Sequence, residues 1–505
     1  MFHGSLVPCA ERRIIRMYYI ATYDVGTTAV KGVLVSSDGE IKTSELVQIK
    51  TYFQQDYKEQ KPDDWFDAFC QIGKKFTSHV GADKIKAVIM SGQMQDLILV
   101  DEAGRPLRDA ILYSDARAGL EAAKIQEMVT EDKLEAITCN HFDGSMPLAK
   151  LLWVKEHEPE IYAKTRQVLI SSKDYIIRCL TGIACGDATA CATAGAMNLK
   201  QMTWDEELIT AAALNLELFP PIKYPHEVVG TVAEEMQDLC GYDQNTVVYA
   251  GIGDAGATTL ASGIASFGEF NVNIGTSGWV ATISHSPLDL HGRVFNLAGF
   301  SEKTYINVVP FFNAGNVHKW ITKVFSEGDS LDYEKSTKLL ESSVPGCHGV
   351  LFLPYITGER FPVIDPDIRG AYYGITPDTS AEDLTRACLE GVAFSVRQGL
   401  ELIDCEVKSV SLIGGGARVA VWCQILADVL GKDVKVYKNA DILPAKALAS
   451  AVLLANGEIA DYGDFVKTLQ DEDACITYRA SNDTHEIYNE VYRKFVKLYP
   501  HLRGL

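Results

Sequence analysis

A single aspartate lies among small residues in a stretch that is suited to chemistry. Residues 247–278 are predicted to form two β-strands with a helix between them, and Asp254 stands among Gly251, Gly253 and Gly256 where the first strand would end. Glycines let a backbone approach a ligand closely, and a lone carboxylate at a strand-to-helix turn is placed to take a proton from a hydroxyl group. Asp254 is therefore the candidate general base.

Two turns of one kind recur about half a chain apart, each between two β-prone runs. Their residues are Gly26, Thr27 and Thr28 in the first turn and Gly275 and Thr276 in the second. Backbone N–H groups and hydroxyls of such turns can hold phosphate oxygens, and the neighbouring Asp24 can hold Mg²⁺, in this case through water. The repeat predicts two similar domains, each offering one hairpin tip to a shared cleft.

The glycines around Asp254 also match the Gly-x-Gly-x-x-Gly pattern of dinucleotide sites, which is the alternative of hydride transfer. Three features argue against it. Asp254 would repel a pyrophosphate at the helix N-terminus, Glu269 begins the next strand where a ribose-binding acid should end it, and the chain does not start as a βαβ unit. The sequence also has no P-loop, His-Glu-x-x-His or Gly-x-Ser-x-Gly motif, so phosphate-binding hairpin tips remain.

Length and composition limit the remaining classes of protein. A chain of 505 residues exceeds one compact core. Its formal charge of −20 disfavours nucleic acid and anionic membranes as partners, and no apolar run approaches the roughly 20 residues that span a bilayer. The twelve cysteines have no zinc-site spacing, which predicts reduced thiols in the cytoplasm. Residues 1–16 lack the order of a signal peptide and are predicted to be a loose extension.

The elements that must position these residues follow from periodicity and turn signals. The chain is predicted to start with hairpin strands, and a helix over 65–80 and a buried strand over 86–90 follow. Gln93, Met94, Gln95 and Asp96 come directly after that strand, where open α/β sheets place ligand groups. Further predictions are a helix over 173–180, a helix over 381–403, a strand over 407–413 that ends in three glycines, and helices over 421–430 and 443–455.

With these residues in place, the chain resembles the FGGY carbohydrate kinases from residue 17 nearly to its end. Residues 145–157 fit the first family signature at each restricted position. Residues 370–390 fit the second signature, except that Cys388 stands where another small or apolar residue is usual. Within the family the likeness is greatest to the xylulokinase group.

The resemblance implies an α/β fold of two actin-like (ribonuclease H-like) ATPase domains that flank a central cleft, over residues 17–262 and 263–505. It implies transfer of the ATP γ-phosphoryl group to a sugar hydroxyl, with Asp254 as the base and Asp24 as the Mg²⁺ partner. The implied nucleotide-side residues are Gly26, Thr27, Thr28, Gly275, Thr276, Gly315, Gly414, Gly415, Gly416 and Ala417. The implied sugar-binding residues are Gln93, Met94, Gln95 and Asp96, with Trp65 and Arg117 as weaker walls of the pocket.

The substrate is less fully specified than the reaction. Xylulokinases commonly have Met-His in the sugar turn and an amide residue after the catalytic aspartate, whereas this chain has Gln95 and Ala255. A site that fails to pair a substrate hydroxyl discriminates strongly against that substrate. D-xylulose is the leading candidate, and another pentulose, a polyol or a sugar acid remains an alternative.

Two other functions and the assembly stay open at this stage. A catalytically idle sugar or nucleotide sensor on the same fold is the main rival. A chaperone-type ATPase would need a peptide-binding appendage, which the sequence does not indicate. The expected partners are a small sugar and ATP, and a homodimer is a candidate assembly.

Overall fold

The computed structural model describes residues 17–54, 57–289, 292–328, 330–469 and 474–503, so the extension over residues 1–16 lies outside the described residues. Its framework is a pair of seven-stranded mixed sheets. Among the described residues, no helix has both the length and the apolar character needed to cross a membrane. All cysteines in the described ranges are free thiols.

The first sheet lies in the N-terminal half of the chain. Its strands are β1 (Tyr19–Val25), β2 (Ala29–Ser36), β3 (Ile41–Gln48), β4 (Ile85–Gly92), β5 (Val228–Thr231), β6 (Val247–Tyr249) and β7 (Ile252–Gly253). They run in the order β5-β6-β4-β1-β2-β3, and β7 also pairs with β4. The pair β1–β2 is antiparallel, as the hairpin-rich start predicts, and β1 is parallel to β4.

The second sheet repeats this arrangement in the C-terminal half. Its strands are β8 (Glu269–Ile274), β9 (Gly278–Ser284), β10 (Phe295–Ala298), β11 (Tyr305–Phe311), β12 (Ser409–Ile413), β13 (Val434–Tyr437) and β14 (Cys475–Tyr478). The order is β10-β11-β9-β8-β12-β13-β14. Strand β8 has an antiparallel hairpin partner on one side and the parallel strand β12 on the other, as β1 has β2 and β4.

Helices cover the sheets and join the halves. Those used below are α1 (Pro62–Val80), α2 (Pro147–His157), α3 (Ser172–Thr181), α4 (Ala188–Cys191), α5 (Asp254–Ala261), α6 (Gly315–Phe325), α7 (Ala381–Leu402), α8 (Ala420–Leu430) and α9 (Leu443–Ala455). Helix α7 begins with a capping box between Ser380 and Asp383, which satisfies two backbone donors at its start. Helix α9, from the second half, packs against α5 and against β1, β2 and β4 of the first half.

The packing of α1 shows how the pattern of the sequence becomes a core. The buried residues Trp65, Phe69, Ile72 and Phe76 recur at helical spacing and form one apolar face. A Cβ atom at Gly32 in β2 would lie 2.5 Å from Ile72 Cγ2. Glycine at this position therefore lets α1 lie close to the sheet.

The stretch over residues 247–278 crosses from one half to the other. Strands β6 and β7 belong to the first sheet, α5 follows them, and β8 belongs to the second sheet. The predicted strand–helix–strand order is confirmed, but its strands do not share a sheet. It is therefore not the βαβ unit that a dinucleotide site needs.

The remaining elements are short or peripheral. The other strands are Tyr52–Gln54, Tyr57–Gln60, Ile98–Val100, Ala110–Ile111, Gln167–Leu169, Gly186–Asp187, Met197–Asn198, Thr203–Trp204, Ile222–Lys223, Leu351–Leu353 and Ala371–Tyr373. The other α-helices are Gly119–Val129, Glu131–Thr138, Pro159–Lys164, Glu206–Ala211, Gln237–Cys240, Tyr333–Ser342, Tyr462–Leu469, Asn482–Phe495 and Leu498–Leu502.

Candidate active site

At the ends of three parallel strands of the first sheet, one carboxylate lies on each side of Ser91. Ser91 of β4 lies opposite Asp24 of β1 on one side and opposite Ile252 of β7 on the other. Ser91 Oγ donates a hydrogen bond of 2.8 Å to Asp24 Oδ1. Asp254 follows β7 directly as the first residue of α5. The predicted base and the predicted metal partner are thus brought to the same sheet edge.

Asp254 has the electrostatics of a base that works near neutral pH. Asp254 is exposed, yet many protein atoms surround its carboxyl group. Desolvation by these atoms, followed by the negative charge of Asp24, raises the pKa of Asp254 to about 7. The Ala255 N–H donates to Asp254 Oδ1 at 2.7 Å and opposes the rise. Burial also raises the pKa of Asp24, against the Ser91 bond and the charge of Lys31.

The sugar turn predicted at the end of β4 lies against the same edge. Met94 packs over Gly253 so closely that a Cβ atom at residue 253 would lie 2.0 Å from Met94 Sδ. Gln95 has a left-handed backbone with a φ of 64°. Its side-chain amide donates to Ser145 Oγ at 2.7 Å. Met94 and Gln95 are partly exposed, so both can reach a ligand.

Asp96 ends the turn as a fully buried carboxyl group. Its Oδ1 accepts a hydrogen bond of 3.0 Å from the Tyr113 N–H, while Oδ2 has no hydrogen-bond partner among the described residues. Burial raises the pKa of Asp96 well above its ordinary value, and the charge of Lys150 opposes this. Asp96 is therefore a carboxyl group with unused hydrogen-bonding capacity beside the predicted sugar-binding residues.

Gln93 joins the sugar turn to the first hairpin tip. Thr27 Oγ1 donates to Gln93 Oε1 at 2.8 Å, and Gln93 Nε2 donates to Gln60 Oε1 at 2.9 Å. Gln60 Oε1 also accepts from the Trp65 indole N–H at 3.1 Å. Trp65 is fully buried in the core under α1, so it supports Gln60 from behind and does not line an open pocket here. Its role as a pocket wall stays a prediction.

Arg117, the other predicted wall, is held by its neighbours. Its Nε and Nη2 donate to the two oxygens of Asp115 at 3.0 and 2.7 Å, and Nη2 lies 2.8 Å from Glu59 Oε1. The guanidinium also lies 3.7 Å from the ring centre of Tyr57. Burial lowers the pKa of Arg117, but the two carboxylates outweigh it and raise that pKa above its ordinary value. The charge of Arg117 is thus already neutralised within the protein.

The predicted nucleotide-side residues of the second half converge at the end of β8. The Gly315 N–H donates to Gly275 O at 2.8 Å, and the Asn316 N–H donates to Thr276 O at 3.0 Å. A Cβ atom at Gly315 would lie 2.3 Å from Gly275 O. Only glycine therefore lets the start of α6 lie against this hairpin tip.

The glycines after β12 pack against the same strand. Gly414 has a φ of 87°, and a Cβ atom there would lie 2.4 Å from Asn273 Oδ1. Gly415, Gly416 and Ala417 form a short 3₁₀ turn that ends at Arg418. In the first half, the tip closes through the Gly26 N–H, which donates to Ala29 O at 3.1 Å, and Thr28 is exposed.

Sequence reasoning missed a buried charge cluster next to the base. Lys173, Asp174 and Asp187 are all fully buried, and the lysine pairs with both carboxylates. Residues 173–180 are predicted from the sequence only to form a helix. Adjacent opposite charges at the start of a mostly apolar helix were the available signal. The sequence prediction also omits Gln60, because no motif includes this residue.

The fold and site define the chain as a two-domain phosphotransferase of the actin-like ATPase class. Each half has a hairpin tip suited to phosphate, and Asp24 and Asp254, both with raised pKa values, lie at strand ends of the first sheet. Comparison with known proteins gives the family. Residues 18–261 match the N-terminal domain of the FGGY family of carbohydrate kinases, and residues 270–450 match its C-terminal domain. The chain therefore belongs to the FGGY family.

Individual relatives agree with this assignment. The chain is 30% identical to a xylulose kinase from Staphylococcus epidermidis over 498 residues, which cover 95% of this chain and 96% of the relative. It is also 30% identical to a gluconokinase from Bacillus subtilis over 432 residues, 83% of this chain and 84% of the relative. The crystal structure of a gluconate kinase from Lactobacillus acidophilus superposes with a TM-score of 0.87 at 25% identity, covering 97% and 99% of the two chains. The chain is an ATP-dependent sugar kinase, a phosphotransferase with an alcohol group as acceptor.

Proposed function

We propose that the chain phosphorylates a hydroxyl of D-xylulose, with Asp254 as the general base. The observation that carries this proposal is the placement of Asp254. A carboxyl group with a pKa of about 7 follows directly on Gly253, over which Met94 of the sugar turn packs. A base of that pKa is largely ionised at slightly alkaline pH and still accepts a proton effectively.

In the proposed reaction the sugar hydroxyl loses its proton to the Asp254 carboxylate. Its oxygen forms a bond to the γ-phosphorus as the bond to the β–γ bridging oxygen breaks, and ADP leaves with that electron pair. The two hairpin tips supply N–H groups, and Thr28 and Thr276 supply hydroxyls, to the phosphates. The N-terminal domain, residues 17–262, holds the sugar, and the C-terminal domain, residues 263–505, holds most of the nucleotide.

The residues at the first sheet edge also fit Mg²⁺. The available ligand atoms are carboxylate oxygens, which this ion prefers. Asp24 and Asp254 repel each other, since the charge of Asp24 raises the pKa of Asp254. A divalent cation relieves that repulsion, and we assign it to Asp24. When bound, it neutralises charge on the transferring phosphoryl group.

A neutral sugar suits this pocket better than a sugar acid. Asp24, Asp96 and Asp254 interact electrostatically around the pocket, Asp254 with each of the other two. The nearby cations are already engaged, since Arg117 pairs with two carboxylates and Lys150 Nζ donates to Gln95 O and Leu112 O. The carboxylate of an aldonate would therefore meet repulsion. D-gluconate stays the second candidate because a gluconokinase is among the relatives of equal identity.

A substrate panel tests the proposal. ADP release should be measured with Mg²⁺ and ATP in the presence of D-xylulose, other pentuloses, xylitol and D-gluconate. We expect D-xylulose to give the highest kcat/KM, and a higher value for D-gluconate would overturn the choice of sugar. If these compounds bind but none of them leads to ADP release from ATP, the result would support the idle sensor instead. The Asp254→Asn variant serves as the background control.

A further inference from the structure

A buried ion-pair cluster supports the peptide that carries the proposed base. Lys173 at the start of α3 lies 2.8 Å from Asp187 Oδ2 and also pairs with Asp174, and all three side chains are fully buried. Buried charges carry a large desolvation cost and contribute little net stability compared with a well-packed apolar core. The cluster is therefore a candidate for a role beyond stability.

Asp187 connects this cluster to the active site through two backbone hydrogen bonds. Its Oδ1 accepts from the Gly253 N–H at 3.1 Å and from the Ala190 N–H in α4 at 3.0 Å. Gly253 is the residue directly before Asp254. Met94, which follows the neighbouring strand β4, packs against Gly253. The carboxylate of Asp187 thus holds the peptide from which Asp254 extends.

We propose that Asp187 is a positioning residue that fixes the Gly253 peptide and thereby the direction of the Asp254 carboxylate. The proposal rests on the assignment of Asp254 as the base. Lys173 orients Asp187 by taking one of its oxygens, which leaves the other to the two N–H groups. Asp174 is the other carboxylate that pairs with Lys173, and its Oδ2 accepts from the Ser171 N–H at 3.1 Å.

Electrostatics offers a readout that a purely structural role would not change. The charges that raise the pKa of Asp254 are those of Asp24 from β1 and of Asp187, so loss of the Asp187 charge should lower that pKa. The charge of Asp254 in turn raises the pKa of Asp96 in the sugar turn. Asp174 acts on Asp96 and Lys173 and is not among the principal charges on Asp254.

The test compares Asp187→Asn with Asp174→Asn. Each variant removes one of the two negative partners of Lys173, so the loss of buried charge is matched. In Asp187→Asn the amide NH₂ group is repelled by Lys173, so the amide oxygen turns to the lysine and the Gly253 N–H loses its acceptor. A base misplaced by about 1 Å costs on the order of 100-fold in rate.

For Asp187→Asn we expect kcat to fall about 10- to 100-fold with the KM for ATP within about 2-fold of wild type. We also expect the acid limb of its kcat/KM profile to move to lower pH, since one of the charges that raise the pKa of Asp254 is gone. Asp174→Asn should keep kcat within about 3-fold and leave the acid limb unmoved. Equal kcat values and equal acid limbs in the two variants would overturn the proposal.

Two further variants keep the outcome decisive. If Asp187→Asn does not fold, the triple variant Lys173→Met/Asp174→Asn/Asp187→Asn, which leaves no charge in the cluster, takes its place with the same expected shift of the acid limb. Asp254→Asn separates the two assignments. Near-normal turnover in Asp254→Asn would show that Asp254 is not the base. If Asp254→Asn is inactive but Asp187→Asn has the same kcat and the same acid limb as Asp174→Asn, only the positioning role of Asp187 is refuted.

Discussion

Asp24 and Asp254 extend from strand ends on either side of Ser91, and the charge of Asp24 is second only to burial in raising the pKa of Asp254 to about 7. A carboxyl group that would ordinarily be ionised far below neutral pH is thus half protonated near pH 7. Because only the carboxylate form can accept a proton from the sugar, this pair makes the rate of the enzyme sensitive to pH in the physiological range.

The pH dependence of the wild-type enzyme follows directly. We expect kcat/KM for the sugar to be close to its maximum above about pH 8 and to fall about tenfold per pH unit below about pH 6, because the base is then protonated. Initial rates of ADP release at constant ionic strength and saturating Mg²⁺ measure this profile. A profile that stays flat down to pH 5 would contradict a base with this pKa.

Asp24→Asn changes both the acid limb and the metal requirement. The variant removes the neighbouring charge that raises the pKa of Asp254, so we expect the acid limb to move to lower pH. It also removes the proposed ligand, so the Mg²⁺ concentration for half-maximal rate should rise about 10-fold or more. Ser91→Ala is the matched control, because it removes the hydrogen bond to Asp24 and keeps both carboxylates. An unchanged Mg²⁺ dependence in Asp24→Asn would refute the metal assignment.

Asp254→Asn should separate turnover from stability. We expect kcat to fall by roughly 10²–10⁴ while ATP still binds, since only the proton acceptor is lost. The folded-state pKa of about 7 lies above the ordinary value of 3.8, so the folded state loses stability as pH rises through that window and the carboxylate becomes charged. The variant should therefore have a higher Tm than wild type at pH 8 and a smaller gain at pH 5. Thermal unfolding at the two pH values checks this, with exposed Asp83→Asn as the control.

Much of the fold could be predicted from sequence because local signals and tertiary packing agree. Helix α9 begins and ends where the apolar run over 443–455 does, and α7 begins at residue 381 as predicted. The repeat of the hairpin tips correctly indicated two similar halves, since each tip requires a strand on both sides. These features depend on residues that are neighbours in sequence.

Features that depend on distant contacts could not be predicted in the same way. No pattern around Gly253 shows that its N–H meets Asp187, a residue 66 positions earlier. The family resemblance implies Trp65 and Arg117 as pocket walls, and it does not show that Trp65 donates to Gln60 or that Arg117 pairs with Asp115. Which face of a side chain meets the ligand is decided by packing that one sequence does not reveal.

Arg117→Lys tests whether Arg117 is mainly structural. Lysine cannot make the two parallel bonds to Asp115 and also reach Glu59, so we expect the free energy of unfolding to fall by about 1–3 kcal/mol. The KM for D-xylulose should change less than about 3-fold if the guanidinium does not touch the sugar. Chemical denaturation and steady-state kinetics measure the two effects. A large rise in the KM for the sugar with unchanged stability would instead make Arg117 a direct wall of the pocket.

Two glycines provide matched tests of the proposed sugar and nucleotide sides. Gly253→Ala places a Cβ atom 2.0 Å from Met94 Sδ, and the flexible methionine must move. Gly315→Ala places one 2.3 Å from the Gly275 carbonyl oxygen, so the second hairpin tip must move. Overpacking of this kind costs about 1–3 kcal/mol, which corresponds to about 5- to 150-fold in an equilibrium constant.

We therefore expect Gly253→Ala to raise the KM for the sugar at least about 5-fold with the KM for ATP nearly unchanged, and Gly315→Ala to do the reverse. Gly119→Ala is the control, because a Cβ atom there meets nothing within 4 Å and the residue is the first of a helix. Steady-state kinetics with each substrate varied in turn gives both values for each variant. If both variants raise the same KM, the division of the site into a sugar side at Met94 and a nucleotide side at Gly275 is wrong. The opposite response of the two KM values would support that division, since the two substitutions differ only in which tip or turn they displace.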